Sequence, residues 1–493
     1  MLRKGRFGRK MDSTASEYTS SIRDDVRIFE PVVRINAAHA LMLEDRKIMK
    51  KSDSKKILKA LSKLQKKSVD ALDLKPELED VHMAVEKYVA DEAGKEVGGK
   101  LHTAKSRNDQ VATAIRMTLR QEILDIQEEA LGLINNLMSL AGRHTRTTMP
   151  GYTHLQVAQP TTFAHYLVAY AQRFSRDVER LSQAYGRTNL CPMGACAMAG
   201  TGFSIDRKQV ADFLGFDGVV ENTMDAVGSR DFALEVISGF SILMSGLGRL
   251  AEELLLWSSS EFDMIEVPDE FASTSSIMPQ KKNLVVAEIA RAKASRTIGE
   301  LAGALALMNT LPQSYSLDLQ ELTPMLWGAV DQTKSTLKVM SKLARAIKPK
   351  PSIMNKRAEA GYATATDLAD ALVQNAGLTF RDAHAVVGRL TMDASKKGKS
   401  LEKLTIADLQ TASRKVIRKK VKINEKEFEK TLSIGESVKA RDLPGGPAPK
   451  AIRRQIKALT QTMKKEKKVV IERERALSKA EKNLWGKVGR RAR

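Results

Sequence analysis

Cysteine is nearly absent. Cys191 and Cys196 are the only two in 493 residues, and their separation matches no metal-ligand spacing and builds no disulfide framework. A reducing compartment is implied, and we expect the cytoplasm. Aromatic residues are also few, at 5% of the chain, while hydrophobic content reaches 42% with frequent Ala, Leu and Met. That balance favours helices over sheets in a folded globular protein. No apolar run is both long and uninterrupted. The most apolar stretch, Phe232 to Trp257, is broken by Glu235, Arg249, Glu252 and Glu253, so it reads as a buried bundle helix rather than a membrane span. The basic start Met1-Leu2-Arg3-Lys4-Gly5-Arg6 leads into no apolar run, which argues against a signal peptide. No dinucleotide or phosphate loop appears, and neither a cofactor nor a metal is expected.

What is abundant is positive charge. The formal balance is +22, and from Ala451 to Arg493 there are 15 Lys and Arg against four Glu. This tail therefore supplies half of the excess. Its Lys464-Lys465-Glu466-Lys467-Lys468 run lacks interleaved aromatics and any Cys/His spacing. A solvated basic helix surface accounts for it better than a reader of nucleic acid, and no specific nucleic-acid partner is expected. A positive field can also draw an anionic substrate inward over short range.

Length allows two or three domains around a large core. Helical spacings cover Val26 to Met49 and Lys55 to Leu64, and Gly94, Gly98 and Gly99 close a first helical region at 1–106. A central region, 107–358, carries the longest amphipathic helices. Leu167, Tyr170, Phe174, Val178 and Leu181 mark one core face; Phe232, Val236, Phe240, Leu243, Leu247, Leu250 and Leu254 mark another. Ile298, Leu301, Leu305 and Met308 predict a third. A C-terminal helical region, 359–493, ends in the basic tail after the break Gly445-Gly446-Pro447-Ala448-Pro449. The expected class is all-α, an elongated helical bundle with smaller helical ends.

Several polar clusters interrupt these helices. Asp269 to Asn283 has neither helical nor strand periodicity, and Pro279 removes a backbone donor in its middle. Its four hydroxyls Ser273-Thr274-Ser275-Ser276, then Lys281, Lys282 and Asn283, suit an anionic substrate; the plainer reading is a solvated connection ending in an Asn N-cap. Ser106-Arg107-Asn108-Asp109-Gln110 precedes a long helix expected from near Val111, where Arg107 can grip a carboxylate in two-pronged fashion beside a positive helix end. Capping alone would also explain it. In Met149-Pro150-Gly151-Tyr152-Thr153-His154-Leu155-Gln156, Pro150-Gly151 reads as a turn, Thr153 can orient a carboxylate, and His154 is either a proton carrier or a structural histidine. Ser20, Ser21, Asp24 and Asp25 look like an N-cap cluster, and Leu311 to Glu321 offers the Tyr315 phenol and the Gln320 amide at a helix end.

Thr274-Ser275-Ser276-Ile277-Met278-Pro279-Gln280-Lys281-Lys282-Asn283 resembles the signature loop of the fumarase/aspartase superfamily. Its Gln-Lys-Lys-Asn ending is similar to that of argininosuccinate lyases. Ser-Arg-Asn-Asp-Gln, Pro-Gly-Tyr-Thr-His-Leu-Gln, Asn222 to Asp231 and the C-terminal Leu378 to Gly388 also resemble that family, in family order, over roughly residues 17 to 460. Four departures stand out. Thr274 replaces a usual Gly, Ala104-Lys105 a Gly-Arg, and Ala195-Cys196 a Ser-Gly; Leu317 and Thr323 lie where bacterial and animal-type members commonly carry cations, so the chain looks more like the archaeal branch.

The resemblance implies a three-domain fumarase/aspartase-like fold and a homotetramer whose active sites combine three subunits. It implies reversible cleavage of argininosuccinate to L-arginine and fumarate by β-elimination. Ser275 would be the base, Lys281 and Asn283 would stabilise the charge-rich intermediate, and His154, oriented by Glu288, would assist proton transfer. Ser21, Asp25, Arg107, Asn108, Thr153, Tyr315 and Gln320 would bind substrate, while Arg230 and Asp231 would fix loops or subunit contacts. The alternatives are another fumarate-releasing lyase of the superfamily, acting on adenylosuccinate, aspartate or fumarate, and a structural relative without catalysis. A basic polyanion-binding protein stands third.

Overall fold

The computed structural model describes residues 8–493, and the basic start read above as no signal peptide lies outside them. Helix accounts for 71% of the chain and strand for 5%, which bears out the all-α expectation. Three helices form the first unit: α1 Phe29–Asp45, α2 Lys51–Leu64 and α3 Val81–Ala93. Five longer helices make the bundle: α4 Arg107–Arg143, α5 Phe163–Thr188, then, after the short α6 Arg207–Leu214, α7 Asp231–Ser258, α8 Val285–Asn309 and α9 Leu319–Ala346. Both expected core faces on α5 and α7 are buried, Leu167 through Leu181 and Phe232 through Leu254. The apolar stretch of α7 therefore packs against α5, α8 and α9, as a bundle helix should.

The third expected face, Ile298, Leu301, Leu305 and Met308, is split. On α8 the residues buried within the chain are small, Ala287, Ala290, Ala294, Thr297 and Ala304, and small side chains let α8 lie close to α7 and α9. Leu301 and Met308 pack half-buried against the main core, whereas Ile298 is 48% and Leu305 50% exposed, with Ile289 at 56%. An amphipathic period reports an apolar stripe but not what covers it.

Turns also differ from expectation. Pro150-Gly151 lies inside β1, Thr148–Thr153, which pairs antiparallel with β2, Gln156–Thr162, around a register shift between Pro150 and Tyr152. A Cβ on Gly151 would sit 2.9 Å from the Gln159 carbonyl oxygen, so this glycine serves close strand approach rather than a turn. The turn falls at His154-Leu155, both in the left-handed region with φ of 55° and 59°.

The C-terminal unit has its own core, formed by α10 Ala365–Ala376, α11 Phe380–Lys396, α12 Ile406–Ile417 and α13 Glu425–Leu432. The expected third domain, 359–493, includes a helix that packs elsewhere. The last helix, α14 Pro449–Arg491, leaves this unit and runs back along α4, α5, α2 and α6. Its inner face buries Ile452, Leu459, Met463, Val470, Leu477, Leu484 and Val488 in the main core, and Arg491 closes the far end by pairing with Glu44 and, at 2.9 Å, with Asp45. The basic surface is only its outer half; a run of lysines hides a core stripe that recurs at steps of seven and four. Truncation before residue 449 should accordingly yield aggregated or poorly folded protein. Leu484→Ala should cost about 2–5 kcal/mol in denaturant unfolding, where a dispensable tail would show no change.

Candidate functional site

A cavity of about 220 Å³ opens where α4 and α9 begin, and Ser21, Asp25, Arg107, Asn108, Tyr315 and Gln320 all line it. The sequence singled out each of these six, from three segments far apart in the chain. Local chemistry explains their placement. Ser106, not a residue near Val111, caps α4: its hydroxyl accepts the Asn108 amide N–H, and its own amide donates to the Asp109 carboxylate at 3.0 Å. Arg107 and Asn108 thereby occupy the first turn, and the Asn108 side chain donates to the Ala197 carbonyl at 3.0 Å. Ser21 makes no side-chain cap, contrary to the plainer reading of its cluster; its hydroxyl donates to Asp25 at 2.7 Å.

The cavity is richer in acid than the motifs suggested. Asp24, Asp25, Glu79 and Asp80 face Arg107 and Arg230 across it. Burial pushes the Asp25 carboxyl up to about 7, opposed by the Ser21 hydrogen bond and reinforced by Asp80. Burial likewise raises Asp80, against the pull of the Arg107 guanidinium that pairs with it. Such a carboxylate-lined pocket suits an ammonium group.

The remaining residues stand at the other end of the bundle. Trp257, at the end of α7, packs on Phe163 and Tyr166 of α5, and Phe262 packs on Tyr152 of β1. The signature loop starts there, closed by the two-residue pairing of β3, Ser273–Thr274, with β4, Lys282–Asn283. Asn283 pairs with Ser273 in this ladder, and the N-cap of α8 is Leu284 without a side-chain bond, so the expected Asn cap is absent. Ser275 Oγ accepts the amide N–H groups of Ile277 and Met278 at 3.3 and 3.1 Å. Lys282 is tied to Asp269 at 2.5 Å, whereas the exposed Lys281 ammonium has no ion-pair partner among the described residues. Thr153, His154 and Glu288 are exposed, and no hydrogen bond joins His154 to Glu288 within one chain.

Residues 5–299 match the lyase family model and residues 362–439 the argininosuccinate lyase C-terminal model. The chain is 41% identical to the argininosuccinate lyase of Methanocaldococcus jannaschii over 98% of its own length and 99% of that protein, and 44% identical to that of Methanothermobacter thermautotrophicus over 95% and 100%. The chain belongs to the argininosuccinate lyase family. EDDS lyase in complex with formate superposes with a TM-score of 0.89 at 29% identity, covering 98% of this chain and 96% of that one. Class II fumarase from Schistosoma mansoni shares the fold at 0.70 and 16%, over 83% and 90%.

Within this member of the argininosuccinate lyase family, several site residues escaped the sequence reading. Asp80 is the N-cap of α3, accepting the Met83 amide N–H at 2.9 Å, and its second oxygen pairs with Arg107. Asp109 accepts the Gly194 and Cys196 amides at 3.0 and 2.8 Å and so ties a distant turn to α4. Beneath them the buried Lys105 ammonium donates to Asn36 at 2.5 Å and meets Glu86 at 2.9 Å. Capping signals at Asp80 and Asp109 were readable; their second partners lie too far away in sequence.

Asp25 carries a measurable cost. Its folded pKa near 7 lies above the ordinary 3.8, so the folded state binds the extra proton between those values and loses stability as pH rises through that window. Asp25→Asn should therefore stabilise the unliganded protein by about 1–3 kcal/mol near pH 8 and by progressively less toward pH 4. Thermal unfolding across that range checks it, and a pH-independent gain would contradict a buried ionised carboxylate.

Proposed function

We propose that the chain cleaves argininosuccinate reversibly to L-arginine and fumarate, as a cytoplasmic homotetramer with composite active sites. The observation that carries this reading is the split of one chemistry between two ends of the bundle. The acidic cavity supplies Asp25 and Ser21 for an α-ammonium group, with Tyr315, Gln320 and Asn108 as further polar contacts. The far end supplies a serine whose oxygen already receives two amide N–H groups and, six residues on, a lysine with no ion-pair partner among the described residues. Helix α8 has 25 residues and α4 has 37, spans of about 37 and 55 Å that no small substrate bridges. Copies must bring opposite ends together, and the exposed Ile289, Ile298 and Leu305 of α8 offer the apolar face on which they would associate.

In the assembled site the two amides aimed at Ser275 Oγ favour its anionic form, which an unassisted hydroxyl does not reach. Ser275 would take a proton from the succinyl carbon adjacent to a carboxylate, and the electron pair would spread onto that carboxylate, held by Lys281, Asn283 and Thr153. Those electrons return to form the fumarate double bond as the carbon–nitrogen bond breaks, and His154, oriented by a Glu288 from a neighbouring copy, would protonate the departing guanidine nitrogen. The left-handed His154-Leu155 turn is backbone strain of the kind held at working sites. The units 1–106 and 107–358 and a C-terminal unit remain our domain reading, with α14 joined to the bundle.

Purified protein offered argininosuccinate beside adenylosuccinate, aspartate and malate should release fumarate and arginine in equal amounts from argininosuccinate alone. Ser275→Ala should nearly abolish this while leaving the oligomer and its thermal unfolding unchanged. Fumarate from another substrate would select a different superfamily lyase; no turnover by an intact oligomer would select the structural relative.

Sharing of sites has a separate signature. Arg107→Ala and Ser275→Ala proteins, each inactive alone, should regain measurable activity when dissociated together and reassembled, because some sites then draw both intact halves from different chains. Persistent inactivity of verified mixed tetramers would place the whole site in one chain.

A further inference from the structure

The arginine half of the proposed substrate brings a carboxylate as well as an ammonium group, and the cavity must provide a cation for it. Where α9 begins, the lining residues are Leu317, Leu319, Gln320 and Thr323, none of them charged. Arg107 is already engaged by Asp80 and lies 3.6 Å from Glu79. Arg230 is different. It lines the same cavity, it is 1% exposed, and it forms no ion pair with any acidic group among the described residues. Its Nη1 donates to the Val227 and Ser229 carbonyls at 3.0 and 2.8 Å, while Nε and Nη2 are buried without a hydrogen-bond partner. A guanidinium desolvated on one edge and unpaired on it is costly unless an anion arrives there. The group facing it is Tyr315, another cavity residue, and burial pulls Arg230 down to about 10. Gly228, two residues before, leaves no room for a side chain: a Cβ there would meet the Ser314 backbone at 2.6 Å, which holds the Tyr315 turn against the Arg230 segment.

We infer that Arg230 grips the α-carboxylate of the arginine half through its unpaired nitrogens, opposite the Asp25–Ser21 pair that takes the α-ammonium group. This rests on the lyase reading above. It makes Arg230 a determinant of substrate specificity instead of the loop-fixing residue that the sequence suggested.

The test is the reverse reaction, fumarate with L-arginine against fumarate with agmatine, which lacks only the carboxylate. Wild-type enzyme should prefer L-arginine. Arg230→Gln should raise the KM for L-arginine by about 10- to 100-fold, as expected for lost charge-assisted hydrogen bonds, and leave agmatine within a few-fold, so the preference collapses. A merely structural arginine would lower both amines alike, and that result, or an unchanged preference, overturns the inference. If the Gln variant does not fold, Arg230→Lys, which keeps the charge without the two-pronged grip, is read the same way: a narrowed preference is expected, an unchanged one is fatal. Should wild-type protein form no argininosuccinate, the function reading fails by itself, and calorimetric titration of L-arginine and agmatine decides the inference separately. Preferential binding of L-arginine that is lost in the variant supports it; no L-arginine binding to wild type, or an identical preference in the variant, overturns it.

Discussion

The length of a hydrogen-bonded helix is the constraint on which this molecule turns. A 25-residue α8 cannot shorten, so a rigid helix about 37 Å long stands between the Ser275 loop that precedes it and the Tyr315 segment that follows it. The chemistry proposed above needs both and so calls for a second copy, for which the outward aliphatics of the same helix offer a face. Its inner stripe is small, which draws it tightly onto α7 and α9, and its outer stripe is aliphatic. Packing within the single chain and the face proposed for association therefore lie on opposite sides of one element.

Periodicity made the bundle legible. The faces on α5 and α7 were read correctly because both sides of the contact lie in this chain. On α8 the same rule held for Leu301 and Met308 but failed for Ile298 and Leu305, which lie outside while alanines fill the interior. The last helix failed for a complementary reason: abundant lysine on the outer face dominates composition and conceals Leu459, Leu477 and Leu484 on the inner one. Site residues in compact motifs were legible as groups, and six of them meet in one cavity. Asp80 and Arg230 were not, because their meaning comes from partners more than twenty residues away, or from lacking one.

Electrostatics in the cavity favour a bound state over an empty one. Asp25 is buried at an elevated pKa, and Arg230 is buried with spare donors. Each costs stability without ligand, and the two complement the opposite charges of one amino acid head group. Ser275 follows a related logic at the far end, where two amides are already oriented toward its oxygen and need no reorganisation when charge develops. Preorganisation is thus distributed over both halves of the proposed site.

The departures from the family pattern can be weighed on the same physical grounds. Ala104 and Cys196 stand where glycine is usual, and both adopt left-handed backbone, with φ of 58° and 55°, each at a cost of about 1–2 kcal/mol. They are not independent, because the Cys196 thiol donates to the Ala104 carbonyl at 3.3 Å. Around them the supports survive: Asp109 still binds the Gly194 and Cys196 amides, and Lys105 fills the buried ion-pair position beside Glu86. Thr274 needs no glycine, since it lies in an extended pairing with Lys282 that a β-branched residue suits. A chain that had lost its chemistry would be free to let this strained turn relax. Here the strain is retained and bridged, and hydrogen bonds with Asp109 and Asn108 tie it to the first turn of α4, which lines the cavity; this favours a working site over a retired one.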